Sequence, residues 1–216
     1  MSETLPGASS FEALRRFVRR PSSAERCELC SQELAPIHEH LLEPIQRKLL
    51  CSCEACSILF NTQSKAKYKR VPRRVRYLAD FHITDSEWDG LMLPINMAFF
   101  FASTPLERVV ALYPSPAGAT ESLLSFESWA EIVNANPVLR EMEADVEALL
   151  VNRIGHARGF TEPEYYLVPI DECFRLVGLI RSKWQGLSGG TEVWRDVDQF
   201  FSGLKLRSPE AKGTHA

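Results

Sequence analysis

Two Cys-x-x-Cys pairs carry the clearest chemistry in the chain: Cys27 and Cys30 in CELC, then Cys53 and Cys56 in CEAC. Between the pairs lie 22 residues, positions 31 to 52. Two tight turns at that separation present four thiolates to one tetrahedral ion. Zinc is the expected ion, because four-cysteine sets with short loops are its usual closed structural site. A rubredoxin-like iron would use the same donors and geometry, and an iron–sulfur cluster is the less favoured third option. With four sulfurs bound no coordination place remains for water, so a structural metal is expected and catalysis at it is not. Three neighbours are alternates for this ligand set. CSCEAC offers Cys51 as a third thiol for two places, and His38 and His40 lie on the arm between the pairs, where each is able to displace a cysteine or hydrogen-bond behind one. Cys51 reads first as a strand cysteine under a hairpin and His40 as a neighbour of the site.

These residues need a knuckle, a hairpin and a helix to converge. CELC forms the knuckle, a hairpin runs from about Glu39 to Cys51 with its turn near Pro44, and CEACSILF puts Cys53 and Cys56 at a helix start. Free N–H groups and the helix dipole there favour thiolates. Knuckle, hairpin and helix in that order describe a treble-clef or zinc-ribbon-like module. It is expected over residues 25–64, after a tail and a short basic amphipathic helix (Ser10 to Pro21) in residues 1–24. A basic linker over 65–76 follows, then a mixed α/β sandwich over 77–206 and a disordered tail over 207–216, an α+β (or α/β) chain overall.

Within the larger part, the segment Thr84–Glu87 has the form of a capping box. NMAFFFAS and Arg108–Pro114 read as strands, and the segment from Ser115 to Thr120 as a loop. SFESWAEIVNA reads as a helix, and NPVLREME as a further turn capped by Asn136. DVEALLVNR and YYLVPI are strands on either side of the loop HARGFTEPE. From Asp171, the residues Cys173, Leu176, Val177, Ile180 and Trp184 recur at helical spacing, GLSGG breaks the pattern, and Val193, Val197, Phe200, Phe201 and Leu204 form the face of a last helix.

Other motifs have ordinary explanations. GLSGG fits the Gly-x-Ser-x-Gly elbow around Ser188, but a helix precedes it and the only later histidine is His215. A helix C-cap and turn is the expectation, as a plain loop is for PSPAGATES. Asp171 and Glu172 read as cap and first-turn charge, and Cys173 as core. His82 and His156 have no carboxylate at a defensible spacing. No catalytic set emerges, and the chain is expected not to be an enzyme.

Charge is uneven. Residues 1–80 hold 14 Lys/Arg against 9 Asp/Glu, net +5, whereas residues 81–216 hold 11 against 19, net −8. The excess peaks at Lys65, Lys67, Lys69, Arg70, Arg73, Arg74 and Arg76, a run that a nucleic acid would find with Tyr68 and Tyr77 as stacking faces. The usual explanation, a solvated linker, is preferred. The longest apolar run, Leu91 to Ala102, is too short to span a bilayer and contains Pro94. The N-terminus has no secretion-signal pattern, and five of the six cysteines fall between positions 27 and 56. A reduced compartment, the cytoplasm, is therefore expected.

Taken together, CELC, HEHLLEP, RKLLCSCEACSILF, LYPSPAGATES, VEALLVNR and YLVPIDECFRLVGLIRSKWQGLSGG resemble an uncharacterised bacterial family often encoded beside nickel–iron hydrogenases. The resemblance covers roughly residues 25–205. It implies an accessory protein in hydrogenase production or electron delivery, with a hydrogenase subunit or maturation factor as partner. It also implies that Cys51 and His40 belong to the family pattern along with Cys27, Cys30, Cys53 and Cys56.

Overall fold

A computed structural model of the chain describes residues 25–61, 67–123, 126–156, 159, 161–186 and 188–208. The expected N-terminal helix, Lys65 and the chain beyond Ser208 lie outside the described residues.

Strand β5 (Met97–Ser103) is apolar along nearly its whole length, MAFFFAS, as a strand covered on both faces must be. It sits inside a six-stranded sheet with β4 (Arg76–Tyr77), β6 (Arg108–Ser115), β7 (Gly118–Ser122), β8 (Glu147–Asn152) and β9 (Glu164–Pro169), in the order β4-β9-β8-β5-β6-β7. Every pairing in it is antiparallel, so among the described residues the fold is α+β rather than α/β.

Alternation along β5 sorts its side chains into two cores. Met97, Phe99 and Phe101 pack with α4 (Ile170–Lys183) and α5 (Gly190–Arg207), through Cys173, Leu176, Ile180, Val197 and Phe201. Ala98 and Phe100 face the other way, against Trp88 of α2 (Asp85–Gly90) and Trp129 and Ile132 of α3 (Phe126–Ala135). Helices therefore cover both sides of the sheet. The capping box at α2 is present: Thr84 Oγ1 accepts from Glu87 N, and Glu87 Oε2 accepts from Thr84 N.

The cysteine segment builds a second, three-stranded sheet in the order β2-β1-β3, from β1 (Glu39–Glu43), β2 (Lys48–Ser52) and β3 (Lys69–Arg70). Helix α1 (Glu54–Asn61) runs against β1 and β3. Leu42 of this hairpin joins the core under α4 and α5, so the module is seated on the larger sheet's helical layer.

Four local expectations are corrected. The basic run is not a solvated linker where it is described: Lys69–Arg70 pair with β1, Arg76–Tyr77 pair with β9, and Val71 and Val75 are buried. Its cations meet carboxylates, Lys67 at Glu43, Lys69 at Asp145, Arg70 and Arg73 at Glu39, Arg74 at Glu147 and Arg76 at Glu141. The segment Ser115–Thr120 is a hairpin rather than a loop, with Ser115 opposite Gly118 (φ 124°) and the backbone returning as β7. Asn136 does not cap the 3-10 turn Pro137–Glu141 with its side chain; its amide exchanges hydrogen bonds with the backbone of His82. Arg207, assigned to the tail, ends α5.

GLSGG, where described, is a turn between α4 and α5. Gly189 has φ 87°, and a Cβ there would stand 2.9 Å from Val193 Cγ1. None of the described helices is long and apolar enough to cross a membrane.

Candidate metal centre

The knuckle is a small antiparallel loop. Cys27 N–H donates to Gln32 O at 2.8 Å, Ser31 N–H donates to Cys27 O at 2.8 Å, and Arg26 bridges Glu33. Ser31 takes the left-handed conformation (φ 64°) that the turn requires. Two hydrogen bonds clamp the knuckle to β2: Glu28 N–H donates to Cys51 O at 2.9 Å, and Cys51 N–H donates to Glu28 Oε2 at 2.8 Å. On the far side Cys53 lies between the end of β2 and the start of α1, and Cys56 lies in that helix's first turn with its N–H directed to Cys53 Sγ at 3.5 Å.

Cys27, Cys30, Cys53 and Cys56 thus come together from two separated turns, their sulfurs all within 4.8 Å of one another. Cys30 Sγ and Cys53 Sγ are 3.7 Å apart. A disulfide would put them about 2.05 Å apart. Tetrahedral thiolates with metal–sulfur bonds of about 2.3 Å sit roughly 3.8 Å from each other. The separation is that of co-ligands, and all six cysteines are free. Cys27, Cys53 and Cys56 are buried with Leu29 and Leu34 against them, while Cys30 is on the exposed side.

The electrostatics fit a cation. Burial pushes the Cys27 thiol up, but the backbone N–H groups of Cys53, Cys30 and Leu29 together outweigh it and bring it down to about 6. Cys56 goes the other way, to about 12, through burial first and then through the crowding of Cys53, Cys30 and Cys27. The Gln32 N–H pulls Cys30 down, yet Cys27, desolvation and Cys53 carry it above its ordinary value. Four sulfurs this close could hold a metal ion, whose charge would favour their thiolate forms.

The three alternates do not enter this set. His38, His40 and Cys51 form a cluster of their own, with one donor atom from each within 4.8 Å of the others. His40 and Cys51 are directly opposed on β1 and β2. Burial, then the charges of Glu25, Glu28 and Cys27, raise the Cys51 thiol.

Asp171, expected as a helix cap, lies instead in the first turn of α4, whose N-cap position is Pro169, and it has a second role. One carboxylate oxygen accepts from Glu172 N–H at 2.8 Å, and the other lies 2.6 Å from His40 Nδ1. That hydrogen bond raises the His40 pKa against the opposing effect of burial. No local signal gives this pairing, since 131 residues separate the two. His156, expected without a carboxylate partner, has its Nε2 3.3 Å from Asp85 Oδ1, which Arg153 also grips. Ser188 lies in the α4–α5 turn, where its carbonyl accepts from Trp194 Nε1. Cys173 is fully buried, and burial holds its thiol well above the ordinary value.

No curated protein and no solved structure matches the chain. Residues 26–208, which span both the cysteine module and the six-stranded sheet, match the model of a family of unknown function, DUF5947, and the chain belongs to that family.

Proposed function

We propose that the four-cysteine centre holds zinc as a structural ion. In this reading the chain is a non-enzymatic accessory protein that acts through protein–protein contact in the maturation or assembly of a nickel–iron hydrogenase. The observation that carries the reading is the closure of the site: four convergent sulfurs, three of them buried, fill a tetrahedron and leave no place for substrate. The ion's role is then mechanical. It fixes the knuckle to the start of α1, where, among the described residues, the partly buried apolar side chains packed on the cysteines are Leu29 and Leu34.

Apolar surface on the same module supports a docking role. Ile37 is 80% exposed and Ile45 is 81% exposed, and Ile58 and Phe60 on α1 are also exposed. The sequence resemblance to proteins encoded beside nickel–iron hydrogenases directs the partner search to a hydrogenase subunit or maturation factor. Cytoplasmic residence, with its reduced thiols, belongs to the same proposal.

Elemental analysis of purified protein tests the metal, with zinc expected in the four-cysteine centre of a colourless protein. A red protein that bleaches reversibly on reduction would replace zinc by a rubredoxin-like iron and turn the reading toward electron transfer. Co-purification with hydrogenase subunits from cells expressing them tests the partner, and absence of association there counts against the accessory role.

A further inference from the structure

His38, His40 and Cys51 stand apart from the four-cysteine set, and both imidazoles are held as metal ligands would be. His38 precedes β1, His40 lies in it, and Cys51 faces His40 across the hairpin. Directly opposed residues of an antiparallel pair project from the same face, so the imidazole and the thiol meet by construction.

Both rings have one nitrogen already engaged. His38 Nδ1 is 2.9 Å from Ala35 O, to which it donates, and Glu25 Oε2 lies 3.5 Å from the same nitrogen. With the proton on Nδ1, Nε2 carries a lone pair. The His38 side chain is only 8% exposed, and its Nε2 is buried without a hydrogen-bond partner among the described residues. A buried acceptor left unsatisfied is costly, so such an atom calls for an explanation. His40 is braced from behind by Asp171, with Oδ2 2.6 Å from Nδ1. A carbonyl behind one imidazole and a carboxylate behind the other are the partners that fix tautomer and ring direction in metal-bound histidines. The two rings lie edge to face, 4.9 Å between centroids. Packing alone accounts for that contact, but not for the orphaned nitrogen.

We propose that His38, His40 and Cys51 form a second metal site, separate from the four-cysteine centre, for a borderline-soft divalent cation, with Asp171 as the positioning carboxylate of His40. Two imidazoles and one thiolate suit zinc and its first-row neighbours. Three protein donors leave the fourth tetrahedral place open to water or an added ligand, unlike the closed centre nearby. Because Asp171 lies in the first turn of α4, the site lies at the seam between the cysteine module and the larger sheet, and an ion there reinforces the tie between β1 and α4 that His40 and Asp171 make. The inference stands whichever ion the four-cysteine centre holds.

The test uses the full-length protein, stripped by chelator under reducing conditions and titrated with Co2+. Two ions per chain are expected, one with intense multi-thiolate charge-transfer absorption and one with a weaker single-thiolate spectrum. Added azide should shift only the second spectrum. Cys51→Ser and His40→Ala should each leave one ion with the multi-thiolate band intact, and Asp171→Asn should weaken the second ion by about 10–100-fold. One ion in the wild type, or two in both Cys51→Ser and His40→Ala, overturns the proposal. Loss of the multi-thiolate band in Cys51→Ser also overturns it, because Cys51 would then belong to the first centre. Should either variant fail to fold by circular dichroism, the wild-type stoichiometry and His38→Gln, expected to bind one ion, decide the matter.

Discussion

Arg74 grips Glu147 with two parallel hydrogen bonds, Nε to Oε1 at 2.7 Å and Nη2 to Oε2 at 3.0 Å, joining the basic segment to the first residue of β8. The Glu147 side chain is 1% exposed and Arg74 is 55% exposed. The carboxylate is thus the buried member, and it also accepts from Glu143 N–H at 2.9 Å. Removing the guanidinium strands a buried charge, which costs more than the intact pair contributes. Arg74→Ala should lower stability by about 2–3 kcal/mol, less than for a fully buried pair because Arg74 is half in water. Glu147→Gln should cost less. Chemical denaturation of the two single variants and the double variant measures the coupling, and full additivity would refute the bond's role.

The same carboxylate gives a pH dependence with a definite sign. Burial pushes Glu147 up, but Arg74 and the Glu143 N–H outweigh it and leave its pKa below the ordinary value. A folded-state pKa below the unfolded one, about 4.3 for glutamate, means that the unfolded chain takes up the proton first. The contribution is therefore complete above that unfolded value and is lost as pH falls through the lower folded one. Glu39, held down by Arg70 and Arg73 against burial, and Glu172, where Arg207 and Arg175 outweigh it, add to the same slope. Denaturant midpoints should fall steeply below about pH 4.3, and Glu147→Gln should flatten part of that fall. An unchanged slope in the variant would contradict the assignment.

Metal removal should act on one region first. The knuckle is tied to the rest by the clamp between Glu28 and Cys51 and by the sulfur cluster, whereas the six-stranded sheet has two cores of its own. Chelation or Cys56→Ser should raise amide exchange over residues 25–35 and 53–61 while β5, β8 and β9 stay protected. Hydrogen-exchange mass spectrometry reads this directly. Simultaneous loss of protection in the central strands would mean that the two parts unfold as one.

What the sequence made legible followed locality. Cys27, Cys30, Cys53 and Cys56 were found by spacing because each pair closes within one turn, and the capping box at Thr84 and Glu87 by its three-residue period. The helical face from Cys173 to Ile180 was readable for the same reason. The links between distant segments were not. His40 to Asp171 and Arg74 to Glu147 pair residues whose neighbours in sequence give no hint of the partner. The basic run illustrates the cost: with its carboxylates up to 76 positions away, it reads as free charge, although Lys69 both bonds Ala144 O and pairs with Asp145. Two-residue strands such as β3 and β4 carry no period at all, so only their tertiary partners define them.

Phe100 shows which side of the sheet depends on one contact. It is fully buried in the centre of β5 and stacks on Trp129 of α3, with ring centroids 5.1 Å apart and planes 22° from parallel. Trp88 of α2 meets it edge-on at 6.5 Å, so one ring bridges both helices on that face. Its neighbour Phe99 points to the opposite core, where Phe174 of α4 meets it at 6.0 Å. Phe100→Ala should cost about 3–5 kcal/mol, the range for emptying an aromatic site in a close-packed core. The loss should appear as faster exchange in α2 and α3 while α4 and α5 keep their protection, because their core is built on the other face. Phe99→Ala should reverse that pattern at comparable cost. Equal loosening of both helical layers by either substitution would show that the two cores melt together rather than face by face.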